Sequence, residues 1–237
     1  MSKIPTIEQM LKAGMHFGHR TSKWHPKSAP FIFTQRHGVH IIDLVKSREL
    51  LAEALDFMQK LVQEGKVILF VGTKMQAKKA IKNLAEETEM PYVVEKWMGG
   101  CLTNFLVIKK MIKKYNDYIR DKNTGKLDRY TKKERTDLEK EMTKLELKVG
   151  GLTNLNKTPD ALFIWDIINE KTAVLEAKKK NIPIIAICDT NTNPTGINYP
   201  IPSNDDATKT IKLLTNTIKE NILEAKANKG KAETTSK

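Results

Sequence analysis

The chain has 237 residues and a mass of 27.0 kDa, and 41 basic against 28 acidic side chains give it a formal charge of +13. Apolar residues at 40% suffice for a core and exclude a wholly disordered chain. The two cysteines, Cys101 and Cys188, form no CxxC pair, which excludes a disulfide framework and a thiolate zinc site and fits a reducing compartment.

The opening residues, MSKIPTIEQM, lack a basic-then-apolar signal pattern, and no apolar run reaches the roughly 20 residues of a membrane helix. The expectation is a soluble, cytoplasmic protein. So large a positive excess is unusual for a cytosolic enzyme and common for a binder of polyanions. The cations are 35 Lys and 6 Arg, which suits phosphate neutralisation more than bidentate reading of bases.

In chain order, Thr6 is placed to cap a short helix over Ile7–Ala13, stopped by Gly14. All five histidines lie in the first forty residues, with six cations against the single acid Glu8. Residues 24–30 carry Pro26 and Pro30 and read as irregular, and Phe31–Phe33 and Val39–Asp43 read as strands turning near Arg36-His37-Gly38. From Ser47 helices and strands alternate: a helix to Glu64, the apolar strand Val67–Val71, a helix from Met75 to Thr88, and a short strand at Tyr92–Val94. Ala161–Trp165 and Pro183–Cys188 are further strands with a helix between them, and a last helix runs from Asp205 to Ala225. Apolar strands alternating with helices imply an α/β fold, a flavodoxin- or Rossmann-like parallel sheet covered on both faces.

Residues 103–151 interrupt the alternation with two narrow helical stripes around a polar turn at residues 121–126. They read as an inserted antiparallel helical hairpin, a short coiled coil packing mainly on itself and projecting. The resulting division is a basic N-terminal extension (1–45) on the core, an α/β domain (46–102 and 152–225), the hairpin (103–151) and a disordered basic tail (226–237).

Gly72-Thr73-Lys74 follows a strand but lacks the glycine-rich loop of a Walker motif, and there is no GxGxxG. A tight turn with Lys74 facing solvent or an external phosphate is the better reading. His16-Phe17-Gly18-His19 has a spacing that can place both imidazoles on one metal, and His16 with Asp189, Asp205 and Asp206 offers a set of metal ligands, although no motif fixes it. The rival to RNA binding is accordingly a metal-dependent or nucleotide-using α/β enzyme. With no GxSxG elbow, and with both cysteines in apolar surroundings, neither catalytic residues, a cofactor nor a metal is assigned.

The basic surfaces are more specific. Lys109, Lys110, Lys113 and Lys114 share one side of the first hairpin helix, and Lys132 and Lys133 open the second. Arg20, Lys23, Trp24, Lys27 and Arg36 combine cations with an aromatic able to stack on an unpaired base. The hairpin, over residues 107–148, holds fourteen cations and eight acids, a local excess of +6, and the first forty residues add +5. The remainder of the chain is close to neutral by this count.

Residues 13–19 (AGMHFGH), Trp24-His25-Pro26-Lys27, Ile41–Leu44, Leu69–Lys74, Trp97–Phe105, Pro159–Phe163, Ile182-Pro183, Ala186–Asn191 and Ile201–Ala207 resemble, in this order, the bacterial small-subunit ribosomal protein family numbered two. The resemblance spans about Ile4 to Leu223. It implies a structural, non-enzymatic protein seated between head and body of the small subunit. It further implies binding to ribosomal RNA through the N-terminal segment and hairpin, and help in docking the mRNA-binding ribosomal protein numbered one. The sequence departs from the family pattern at Met75 and Lys96, where Arg is common, and at Ser203, where Gly is common. Lys74 and Lys96 join the residues above as expected RNA contacts.

Overall fold

Thr6 and Gln9 close a capping box at the start of α1 (Ile7–Ala13), and Gly14 ends it with φ 80°. The computed structural model describes residues 3–235. After α1 come three short strands, β1 (Phe17–Arg20), β2 (Ile32–Arg36) and β3 (Val39–Ile42), which form an antiparallel sheet in the order β1-β3-β2. His37 and Gly38 both take positive φ, 51° and 74°, the requirement of a two-residue turn matched to the strand twist. Most of the stretch read as irregular, residues 24–30, falls in a 3-10 segment, Pro26–Phe31, and a second one, Thr21–Lys23, precedes it.

A five-stranded sheet follows, built from β4 (Ile68–Val71), β5 (Tyr92–Val93), β6 (Ala161–Ile164), β7 (Ile184–Cys188) and β8 (Tyr199–Pro202). Its order is β5-β4-β6-β7-β8, parallel throughout. The chain leaves β4 for one side and then returns to the other, so the order reverses between β4 and β6, as in flavodoxin-like sheets. Strand alternation divides the core. Ile68, Phe70, Phe163, Ile187 and Ile201 face α1, α2 (Leu44–Gln63), α3 (Lys78–Glu87) and α7 (Thr208–Thr235). Leu69, Val71, Leu162, Ile164 and Ala186 face α4 (Phe105–Asn123), α5 (Lys132–Val149) and α6 (Lys171–Lys179).

Four features differ from the sequence expectation. β1 is a strand because its backbone pairs with β3, a partner twenty residues away that local pattern does not reveal. β8 contains Pro200 and Pro202, yet it lies on the sheet edge, where a missing N–H is tolerated. In α4 and α5, Ile108, Ile112, Tyr115, Met142, Leu145 and Val149 belong to the same buried cluster as the sheet, so the half of the helix pair next to the domain packs on it as well as on itself. Finally, α7 runs past Ala225, where the sequence pattern ends the helix, to Thr235, with the Lys226 ammonium 2.7 Å from Glu89. Lysine and alanine there are strong helix formers, and residues 236–237 lie outside the described part. Among the described residues no helix is long and apolar enough to cross a membrane.

Candidate nucleic-acid interface and the carboxyl edge of the sheet

The three-stranded sheet is held on the carboxyl edge of the large one by hydrogen bonds from several elements. His19 N donates to Thr190 Oγ1 at 2.8 Å, His25 N to Thr190 O at 2.8 Å and Ser28 Oγ to Thr192 O at 2.6 Å. From the far side Asn204 donates through its backbone to Met15 O (3.0 Å) and through Nδ2 to Phe17 O (2.7 Å). Gly18 makes this approach possible. A Cβ there would stand 2.6 Å from Thr190 Cγ2 and 3.1 Å from His40 O. Gly18→Ala is therefore expected to cost about 1–3 kcal/mol by overpacking. Limited proteolysis should then cut within the first 45 residues faster than in the parent chain, and equal cleavage rates would contradict this packing.

The docked sheet gathers the N-terminal cations. Arg20 and Arg36 both pair in register with Val39, so the two guanidinium-bearing positions flank one residue of the middle strand. Both are exposed, as are Lys23 and Lys27 on the 3-10 segments. Trp24 is 38% exposed, and its ring lies 5.1 Å from that of His40, so it is a half-open surface aromatic. The second group lies on the helix pair. Lys109, Lys110 and Lys113 are exposed on α4, and Lys132 and Lys133 on the first turn of α5. Lys114 is exposed too, but it pairs with Glu141 across the two helices. Lys96 is exposed beside the buried Trp97.

Lys74 differs from the expectation of a solvent-facing cation. Its Nζ lies 2.8 Å from Asp205, 2.6 Å from Asp206 and 3.8 Å from Asp166, and its side chain is 14% exposed. The reason is topological: the ends of β4, β6 and β8 converge here, and each delivers a carboxylate or the cation. Burial works to lower the Lys74 pKa, but hydrogen bonds to Asp205 and Asp206 outweigh it and the group is held above its ordinary value. Burial, reinforced by the nearby Asp189, pushes Asp205 up to about 7 in spite of Lys74.

The histidine at this edge is His19 and not His16. Nδ1 of His19 lies 3.1 Å from Asp189, and Nε2 lies 3.8 Å from Asp206. The hydrogen bond to Asp189 raises its pKa, against burial. His16 lies against Phe17, the rings tilted by 40° with centroids 4.0 Å apart, and burial lowers its pKa. Ligand atoms of His19, Asp205 and Asp206 come within 4.8 Å of one another, a spacing compatible with a cation, although here the Lys74 ammonium bridges the two carboxylates. Asp166 is an ordinary turn cap, its Oδ1 accepting from Ile168 N at 2.8 Å. Thr73 N donates to the buried Glu170 at 2.9 Å, so the loop after β4 is tied to its own domain. The sequence reading offered His19 beside His16 as a metal ligand but missed its grouping with Lys74, Thr190 and Glu170, because only the sheet order brings residues 19, 74, 166, 189 and 205 to one edge.

A family model described as Ribosomal protein S2 matches residues 10–225. The small ribosomal subunit protein uS2 of Coprothermobacter proteolyticus is 44% identical over 223 residues, covering 94% of this chain and 83% of that protein. Together with an α/β sheet bearing two cationic surfaces, these matches establish that the chain belongs to the ribosomal protein S2 family, whose members are structural proteins of the ribosome and not enzymes.

Proposed function

We propose that this component of the cytoplasmic ribosome binds small-subunit ribosomal RNA through two lysine-rich surfaces, the docked N-terminal sheet and the α4–α5 pair. On this reading it sits between head and body of the subunit and helps to dock the mRNA-binding ribosomal protein numbered one. The observation that carries the RNA reading is the exposure of the cations. Of the thirteen residues expected at the interface, all but Lys74 are exposed, and of those only Lys114 is paired with an acid in the salt bridges described above. Exposed lysine interacts with the backbone as a point charge, so binding should be steeply salt-dependent and weakly sequence-dependent.

The test is a salt series of binding to small subunits stripped of this protein. Replacing Lys109, Lys110 and Lys113 with alanine is expected to reduce the log–log salt slope by about 2, at roughly 0.7–0.9 per phosphate contact. Adding Lys114→Ala should change the slope less than any of the three, because Glu141 already neutralises that cation. An unchanged slope would remove the helix pair from the RNA interface.

A further inference from the structure

Charge counted along the sequence leaves the α/β core near neutral, and burial redistributes that count. Between Ile167 and Asn204 the chain has three acids, Glu170, Glu176 and Asp189, which are 2%, 7% and 2% exposed. It has four cations in the same stretch, Lys171, Lys178, Lys179 and Lys180, and all are exposed. Each acid is turned inward by a specific partner. Glu170 accepts from Thr73 N, Glu176 from the loop ahead of α4, and Asp189 from Thr190 N and His19. The outer surface of α6 therefore displays positive charge, and neither it nor the loop between β7 and β8 adds an exposed acid.

A helix C-terminus favours cations, and this accounts for Lys178–Lys180 in part. It does not account for Lys171, which opens the helix at the end where a cation opposes the dipole. Nor does it account for the fixing of Lys178, whose Nζ donates to Thr195 O at 2.9 Å and passes over Gly196. A Cβ at Gly196 would stand 2.8 Å from that Nζ. Helix α6 shares its buried cluster with α4 and α5, so this face lies on the same side of the sheet as the hairpin cations.

We infer that the outer face of α6, with Lys171, Lys179 and Lys180 as its free cations, is a third contact surface for the RNA phosphodiester backbone. The inference rests on the reading that the chain binds ribosomal RNA, and extends it to a segment that sequence charge alone marks as neutral. A phosphate backbone is the ligand that fits, because hydrated ammonium groups are offered without competing carboxylates.

Both native cysteines are buried, their thiols pushed up to about 12 by burial, so a new surface cysteine is the selective site for labelling. An iron chelate attached to the Lys179→Cys variant, assembled into small subunits lacking this protein, should release hydroxyl radicals that cut ribosomal RNA. The Lys110→Cys variant, carrying the same chelate, reports on the hairpin separately. Cuts from position 110 alone would overturn the α6 surface and leave RNA binding by the hairpin standing; cuts from neither would overturn both. Replacing Lys171, Lys179 and Lys180 with glutamine should also lower the log–log salt slope by about 2. An unchanged slope at unchanged thermal stability, or cleavage from position 179 only of a neighbouring protein, would assign the face elsewhere.

Discussion

Glu176→Ala is expected to destabilise the folded chain by about 3–5 kcal/mol, the range for removing the charged partner of a buried hydrogen-bonded group. The carboxylate, on the inner side of α6, gathers the loop that leads into α4. Oε1 accepts from Gly100 N at 2.7 Å and Trp97 Nε1 at 3.2 Å. Oε2 accepts from Leu102 N at 2.9 Å and from Thr103 N and Oγ1, both at 3.1 Å. Asn104, at the N-cap of α4, makes no side-chain capping bond, and Glu176 instead fixes the loop residues that lead into it. Truncation leaves these donors facing an apolar gap. Glu176→Gln should cost less, since one oxygen survives while an amide N–H now points at donors.

Burial raises the Glu176 pKa, but the backbone donors of Leu102, Thr103 and Gly100 and the Trp97 indole outweigh it and hold the group below the ordinary carboxylate value. A group with a depressed folded pKa binds fewer protons folded than unfolded, so its stabilisation is complete above the unfolded value of about 4.3. It is lost as pH falls through the folded value. Urea denaturation should show a constant gap between parent and Glu176→Ala from pH 6 to 8, narrowing in the acid range below about pH 4. A gap under about 1 kcal/mol at pH 7 would contradict the anchoring role.

The second large effect is expected at Lys74. Lys74→Met keeps most of the stem and removes the cation from Asp166 and Asp205, which are 6% and 2% exposed, and from the more open Asp206. Breaking a buried ion pair from one side costs about 3–5 kcal/mol, because the carboxylates remain in a poorly solvated place. The pH dependence runs opposite to that of Glu176. Asp205 already titrates near 7, above its unfolded value, so it binds more protons folded than unfolded. Its contribution to stability therefore declines as pH rises from about 4 towards 7. Without Lys74 the decline should steepen and extend higher, making Lys74→Met cost more at pH 8 than at pH 5.5. Equal losses at both pH values would show that the network carries little of the stability of this edge.

The two residues show why charge read along a chain misleads. Lys74 follows a strand and a glycine, which reads locally as a cation offered to a ligand, yet the chain's own carboxylates surround it. Glu176 lies on a lysine-rich helix and reads as one more solvated acid, yet it is buried and organises a loop more than seventy residues upstream. Helix stripes and apolar strands were legible because their periodicity is local; thus α1, α2, β4, β6 and β7 lie where the pattern places them, within a few residues. β1 was not legible, since its pairing is long-range and its residues, Phe17-Gly18-His19-Arg20, carry no alternation. β8 was hidden by two prolines that only an edge position admits.

The sequence by itself determined the class of the fold, the family and the sign of the charge, and it located the exposed cations of the N-terminal segment and the helix pair. Those properties depend on composition, short-range periodicity and co-linear motifs. Only the tertiary structure decided which charges remain available. Crossover connections bring strand ends distant in sequence to one edge, where His19, Lys74, Asp189, Asp205 and Asp206 neutralise one another. The same packing withdraws Glu170 and Glu176 from the surface of α6 and leaves its lysines without counter-charges. Desolvation drives both outcomes, because an acid taken from water must find a cation or backbone donors inside, whereas a lysine can extend its ammonium back into solvent.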